Sequence, residues 1–188
     1  FILAKELQNK HSIINVVSVI PAKDYLVVNC FEDKKDVIKP QSRKEIVNEI
    51  AVSLAGDVAT KLKKFEPSAG KRSDMENATS YAKRMILQCG LNDNQNFGEY
   101  NSFTIDDEIQ TQYLSEKQKN LLTEEINKIL KEAENVATDI LNKNMDKLEI
   151  ISKALIKQGI LRKEQLDKLY DGKLKLDDLP EPEINLIL

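Results

Sequence analysis

Few residues in this chain are equipped for chemistry. Its 188 residues hold one histidine, His11, and two cysteines, Cys30 and Cys89. Zinc motifs built on two histidines, and most histidine-based catalytic sites, cannot be completed within the chain unless a partner supplies residues. Two cysteines form no disulfide framework. Both sit in apolar settings, which points to buried free thiols in a reducing compartment. Among the carboxylates, Asp74 has the most distinctive setting. It lies in PSAGKRSDMENATSYAKRMILQCG, residues 67–90, where a small-residue loop opens into an amphipathic helix. Ser73 is placed to cap that helix, and Glu76 three residues on would close a capping box. Asp74 then falls in the first turn, where a carboxylate suits the positive end of the helix dipole. Met75, Ala78, Ala82, Met85, Ile86 and Cys89 recur at the three-and-four spacing of one buried face, and Gly90 is the stop. On local pattern alone this is a well-capped core helix.

A chain of 188 residues makes one large domain or two small ones, and a hydrophobic content of 41% is ample for a core. A net charge of −3 implies no general attraction to nucleic acid. The Lys-rich runs are interleaved with Glu and Asp, as on solvated helix faces. No apolar run is long enough to span a bilayer. No signal peptide is visible, and the chain starts on Phe1 rather than Met, which fits a fragment.

In order, Phe1 to Asn9 reads as the end of a helix. Ile13 to Ile20 and Tyr25 to Phe31 read as two β-branched strands that pair as an antiparallel hairpin. Ser42 with Glu45 forms a capping box ahead of Ile46, Val47, Ile50, Leu54, Val58 and Leu62, which predicts a helix to Lys64. Gly56 within it costs about 1 kcal/mol relative to Ala, which suggests close approach of another backbone. Leu91 to Leu114 is polar with scattered aromatics and reads as a long loop. Ser115 caps the longest helix, to Asn144, with Gln118 closing its box. Met145 to Gln158 is a further helix stopped by Gly159, and Ile160 to Tyr170 a short closing one. The Pro- and acid-containing end reads as a tail. The expected fold class is mainly α, with a small antiparallel sheet near the N-terminus and a C-terminal helical bundle.

Taken together the segments resemble the peptidase domain of FtsH-type ATP-dependent zinc metalloproteases. INVVSVIP resembles the strand after that family's catalytic helix, and YLVVNCFEDKKD its substrate-lining strand and acidic loop. SRKEIVNEIAVSLAGDVATK resembles the helix bearing a Gly-Gly-Arg-x-Ala-Glu-Glu signature. SAGKRSDMENATSYAKRMILQCGL resembles its Ser-Thr-Gly-Ala-x-Asn-Asp helix start. The stretch LSEKQKNLLTEEINKILKEAENVATDILNKNMDKLEIISKAL resembles the helical tail of the domain. The order of five such pieces is specific for fold rather than for activity.

The resemblance implies residues 1–174 as a helical metallopeptidase domain and residues 175–188 as a tail. In that family two histidines of an HExxH helix and a later Asp hold zinc, and the Glu activates the bound water. Asp74 stands where the third ligand stands, so helix cap and zinc ligand are both open for it. HExxH is absent, and no catalytic residue can be named in this chain; the expectation is that the motif lies just before Phe1. Tyr25, Leu26, Val27, Val28, Asn29 and Cys30 stand where the substrate strand runs. Further departures are Ala59-Thr60-Lys61 for Ala-Glu-Glu, Asp57 for the Arg, Ala55 for one Gly, and Lys71 and Arg72 close before Asp74. They favour a second reading, an inactive paralogue serving as a structural or adaptor subunit of a ring-shaped AAA complex. A third reading, an unrelated helical interaction domain, fits the ordered matches least. The resemblance also implies zinc where the motif is present, ATP only through an ATPase module outside this chain, polypeptide substrates and a homo- or hetero-oligomeric ring. Membrane association would come only through segments outside the chain, in a bacterial cytoplasm or an organelle matrix.

Overall fold

The computed structural model describes residues 1–7, 13–20, 28–32, 41–91 and 115–179. These form helices α1 (Ile2–Glu6), α2 (Arg43–Leu62), α3 (Arg72–Leu87), α4 (Glu116–Lys143), α5 (Met145–Gln158) and α6 (Lys163–Tyr170). The strands are β1 (Ile13–Ser18), β2 (Val28–Glu32) and β3 (Ile160–Arg162). The mainly α class with a small antiparallel sheet is as expected. His11, Tyr25, Leu26, Val27 and most of the expected loop before Ser115 lie outside the described residues. The chain divides into two compact units, one of residues 1–37 with 141–188 and the other of residues 38–140.

In the first unit the sheet runs β2-β1-β3, with β1 antiparallel to both neighbours. The third strand corrects the sequence reading, which placed Ile160 to Arg162 in the closing helix. A three-residue strand carries too little alternation to be seen, and it forms because β1 offers Val16, Val17 and Ser18 as partners for Arg162, Leu161 and Ile160. The register of β1 on β2 shifts between Ile14 and Val16, leaving Asn15 as an extra residue. Such a bulge reverses the alternation of faces. It explains why the buried β1 residues are Ile14 and Val17, three apart rather than two. Around the sheet, α5 and α6 pack on β3 and on each other, and α6 also meets β1. Ile151, Ala154, Leu161, Leu166 and Leu169 are buried here. Lys5 reaches Asp167 at 2.7 Å, and the Tyr170 hydroxyl donates to Glu6, so α1 is tied to α6.

Helix α5 ends at Gly159, whose φ is +73°. A Cβ there would lie 3.0 Å from the side chain of Ile20, while the Gly159 carbonyl accepts from Val19 N–H at 2.9 Å. The turn is held by the sheet, so an L-side chain would press on Ile20 and meet a strained backbone. Gly159→Ala is expected to destabilise this unit by about 1–2 kcal/mol, read as a fall in thermal midpoint. An unchanged midpoint would mean that the turn relaxes freely.

In the second unit α2 packs on α3. Val47, Ile50, Ala51, Leu54 and Val58 of α2 and Ala78, Ala82, Met85 and Ile86 of α3 are buried. The Ser42–Glu45 capping box is formed as expected. Ser115 and Gln118 likewise form theirs, the Ser115 N–H donating to Gln118 Oε1 at 3.0 Å. The start of α3 differs from expectation. Ser68, not Ser73, supplies the cap: its hydroxyl accepts from Gly70 N–H at 3.0 Å and opens a 3-10 turn, Ala69–Lys71, that runs directly into α3. Because the helix begins before Ser73, the expected box cannot form there, and Glu76 pairs instead with Arg72 at 2.8 Å. Cys89 is exposed, not buried, since α3 ends at Leu87 and the apolar face ends with it. Gly56 is exposed too, and no other backbone lies within 4 Å of a Cβ built there.

Candidate metal centre

Asp74 is the third residue of α3, one turn beyond the 3-10 turn. The capped turn fixes the first turn of α3, and the alanines at positions 78 and 82 let α3 lie close on α2. The outcome is that Asp74 Oδ2 faces Gly56 of α2, 3.9 Å from where a Cβ would stand. The glycine that reads in sequence as a packing device thus faces a carboxylate, at a distance where a Cβ would make only ordinary contact. Among the described residues Asp74 makes no hydrogen bond and no ion pair. Partial desolvation holds its carboxyl above the usual carboxylate range, a small effect on so exposed a group. By linkage, a raised folded-state pKa makes the charged form a slight cost at neutral pH, one relieved as pH falls. An exposed anion that its own fold leaves unpartnered suits a cation ligand. It is a single ligand, however: among the described residues no group of three His, Cys, Asp or Glu could hold a metal ion.

The two cations next to Asp74 each have another partner. Arg72 pairs with Glu76 on the solvent side. Lys71 Nζ lies 2.7 Å from Asp57 Oδ1. Asp57 Oδ2 lies 2.9 Å from Lys61, which reaches Glu134 at 2.7 Å, and Glu134 in turn meets Lys131 at 2.7 Å. With its side chain only 12% exposed, Asp57 is the half-buried node of this chain of charges. Hydrogen bonds from Lys61 and Lys71 hold Asp57 below the usual carboxylate range, and bonds from Lys131 and Lys61 do the same for Glu134. Bonds to Asp57 and Glu134 raise Lys61. Lowered carboxylates stabilise the fold fully above their unfolded value, near 4, and lose that contribution as pH falls through the folded value. The raised Lys61 contributes fully below about pH 10 and loses it above. Asp57→Ala is thus expected to cost about 1 kcal/mol at pH 7. The gap to the unsubstituted protein should narrow as pH falls below about 4, as compared by urea titration at pH 7 and pH 3. A gap of the same size at pH 3 would remove the charges as its cause.

Half of this network was legible in the sequence. Asp57 and Lys61 are spaced i,i+4 with opposite sign, a pairing that helices favour. Glu134 lies on α4 and Lys71 in the 3-10 turn, and no sequence signal joins them to α2. At the position of the expected acid, the Thr60 hydroxyl donates to the Gly56 carbonyl at 2.9 Å and so serves its own helix. Of the expected substrate strand, Val28, Asn29 and Cys30 lie in β2, at the edge of the described sheet.

A sequence model described as peptidase family M41 matches residues 2–169. The chain is 31% identical over 182 residues to ATP-dependent zinc metalloprotease FtsH 1 of Thermoanaerobacter sp. (strain X514), covering 92% of this chain and 29% of that protein. It is 29% identical over 188 residues to ATP-dependent zinc metalloprotease FtsH 2 of Alkaliphilus metalliredigens (strain QYMF), covering 93% of this chain and 27% of that one. It is also 31% identical over 182 residues to ATP-dependent zinc metalloprotease FtsH of Bacillus subtilis (strain 168), covering 92% of this chain and 28% of that one. The chain thus spans less than a third of the length of these relatives.

Proposed function

This chain belongs to peptidase family M41, and from that we propose that it is the peptidase portion, residues 1–174, of an ATP-dependent zinc metalloprotease that degrades protein substrates. The observation that carries the reading is Asp74: an unpartnered first-turn carboxylate facing a glycine, in the helix start that resembles the family's third-ligand segment. Asp74 would be the third zinc ligand. The 188 residues contain no HExxH, so on this reading the two histidines and the general base come from a segment outside them. Zinc, when bound, lowers the pKa of water and polarises the scissile carbonyl. The part left to this chain is to hold one ligand in place and to align the peptide. Residues Tyr25 to Cys30 would do the latter by backbone pairing along the strand edge, and the edge position of β2 supports it.

The names of the relatives support ATP dependence and zinc. An AAA ATPase module and assembly into a ring belong to the same proposal, as does a reducing intracellular compartment. Among the described residues no helix is long and apolar enough to cross a membrane. In the complete protein, a zinc chelator should abolish peptide hydrolysis and added zinc should restore it. Hydrolysis indifferent to chelation would overturn the reading. One observation favours an alternative, an inactive paralogue serving as a structural or adaptor subunit of such a ring. Thr60 and Lys61 replace the family's two acids, and both are committed elsewhere, to Gly56 and to Asp57 and Glu134. That alternative predicts the same assembly with no zinc at all.

A further inference from the structure

The neighbours of Asp74 present a problem that α2 resolves. Lys71 stands three residues before Asp74, a spacing at which opposite charges pair across a helix turn. An ammonium that took this place would occupy the oxygens a metal needs and would repel an incoming dication. Lys71 does not take it. Its Nζ is 2.7 Å from Asp57 Oδ1, on the residue next to Gly56. Two adjacent α2 residues thus lie beside the helix start: Gly56 faces the Asp74 carboxylate, and Asp57 holds the nearby cation. Asp57 is in turn anchored by Lys61 at 2.9 Å, and Lys61 by Glu134 at 2.7 Å.

We propose that Asp57 is a positioning residue that sequesters Lys71 and thereby keeps the Asp74 carboxylate free for a divalent cation. This rests on Asp74 being a metal ligand, as argued above. The role differs from a purely structural ion pair in what happens when Lys71 is also removed. In Asp57→Ala, alanine preserves α2 because it is the best helix former, and Lys71 is released toward Asp74. In Asp57→Ala with Lys71→Ala, the released ammonium is absent, while Lys61 keeps Glu134 and Arg72 keeps Glu76 as partners. A structural role predicts the reverse, with the double variant no better than the single one.

The test uses the complete protein and zinc as the probe, with affinity measured by competition against a chromogenic chelator. Asp57→Ala should weaken zinc binding about fivefold, the scale of one exposed ion pair, and adding Lys71→Ala should restore it. Lys71→Ala alone should leave affinity unchanged or slightly improved. A loss in Asp57→Ala that Lys71→Ala does not reverse, or no loss, would overturn the proposal. Were the unsubstituted protein to hold no zinc, the ligand reading of Asp74 would fall instead. A crystal structure of Asp57→Ala then decides the sequestering step by itself. Lys71 Nζ within about 4 Å of the Asp74 carboxylate supports it, and Lys71 directed elsewhere overturns it.

Discussion

Asp74→Ala in the complete protein should lose zinc and peptide hydrolysis while the fold stays intact. Removing one of three protein ligands from a catalytic zinc is more severe than removing an outer partner of a ligand, which already costs about 10- to 100-fold in affinity or activity. Zinc content measured after dialysis should therefore fall to background. The stability cost should be small. Asp74 is exposed and has no hydrogen bond or ion pair among the described residues. A first-turn carboxylate contributes at most about 1 kcal/mol through the helix dipole, and its partial desolvation works in the opposite direction. Circular dichroism and the thermal midpoint should be almost unchanged. Full zinc content in this variant would remove Asp74 from the site and leave it as a helix-start residue only.

The second large effect lies in the packing that positions Asp74. Ile50 is fully buried on the α2 face that meets α3. Ile50→Ala should cost about 2–5 kcal/mol, from lost transfer energy and the cavity left behind. In a chain of this size that is about 2–4 °C of thermal midpoint per kcal/mol. Ile156, at 82% exposure, is the control: Ile156→Ala should stay within about 0.5 kcal/mol. Because α2 carries Gly56 and Asp57 while α3 carries Asp74, the Ile50 cavity should also weaken zinc binding. The test is calorimetry on both variants. Equal midpoints would mean that the α2–α3 face contributes little to stability.

The sequence by itself determined a good deal of this protein. Helices α2, α4 and α5 follow from apolar residues at three-and-four spacing over long windows, and the boxes at Ser42 and Ser115 formed as read. These signals are local, so no long-range contact can displace them easily. The special character of the stretch around Asp74 was also legible. The tertiary structure decided the rest, where the deciding partner is distant in sequence. Strand β3 exists because β1 offers an edge more than 140 residues earlier. The start of α3 moved because Ser68 outcompetes Ser73 once the 3-10 turn is made. Gly56 proved to face a carboxylate rather than a backbone. The cation at Lys71, close before Asp74 in the sequence, is unfavourable for a metal site until Asp57 comes within hydrogen-bonding reach. Charge pairing falls off over a few ångströms, and only folding brings these residues that close.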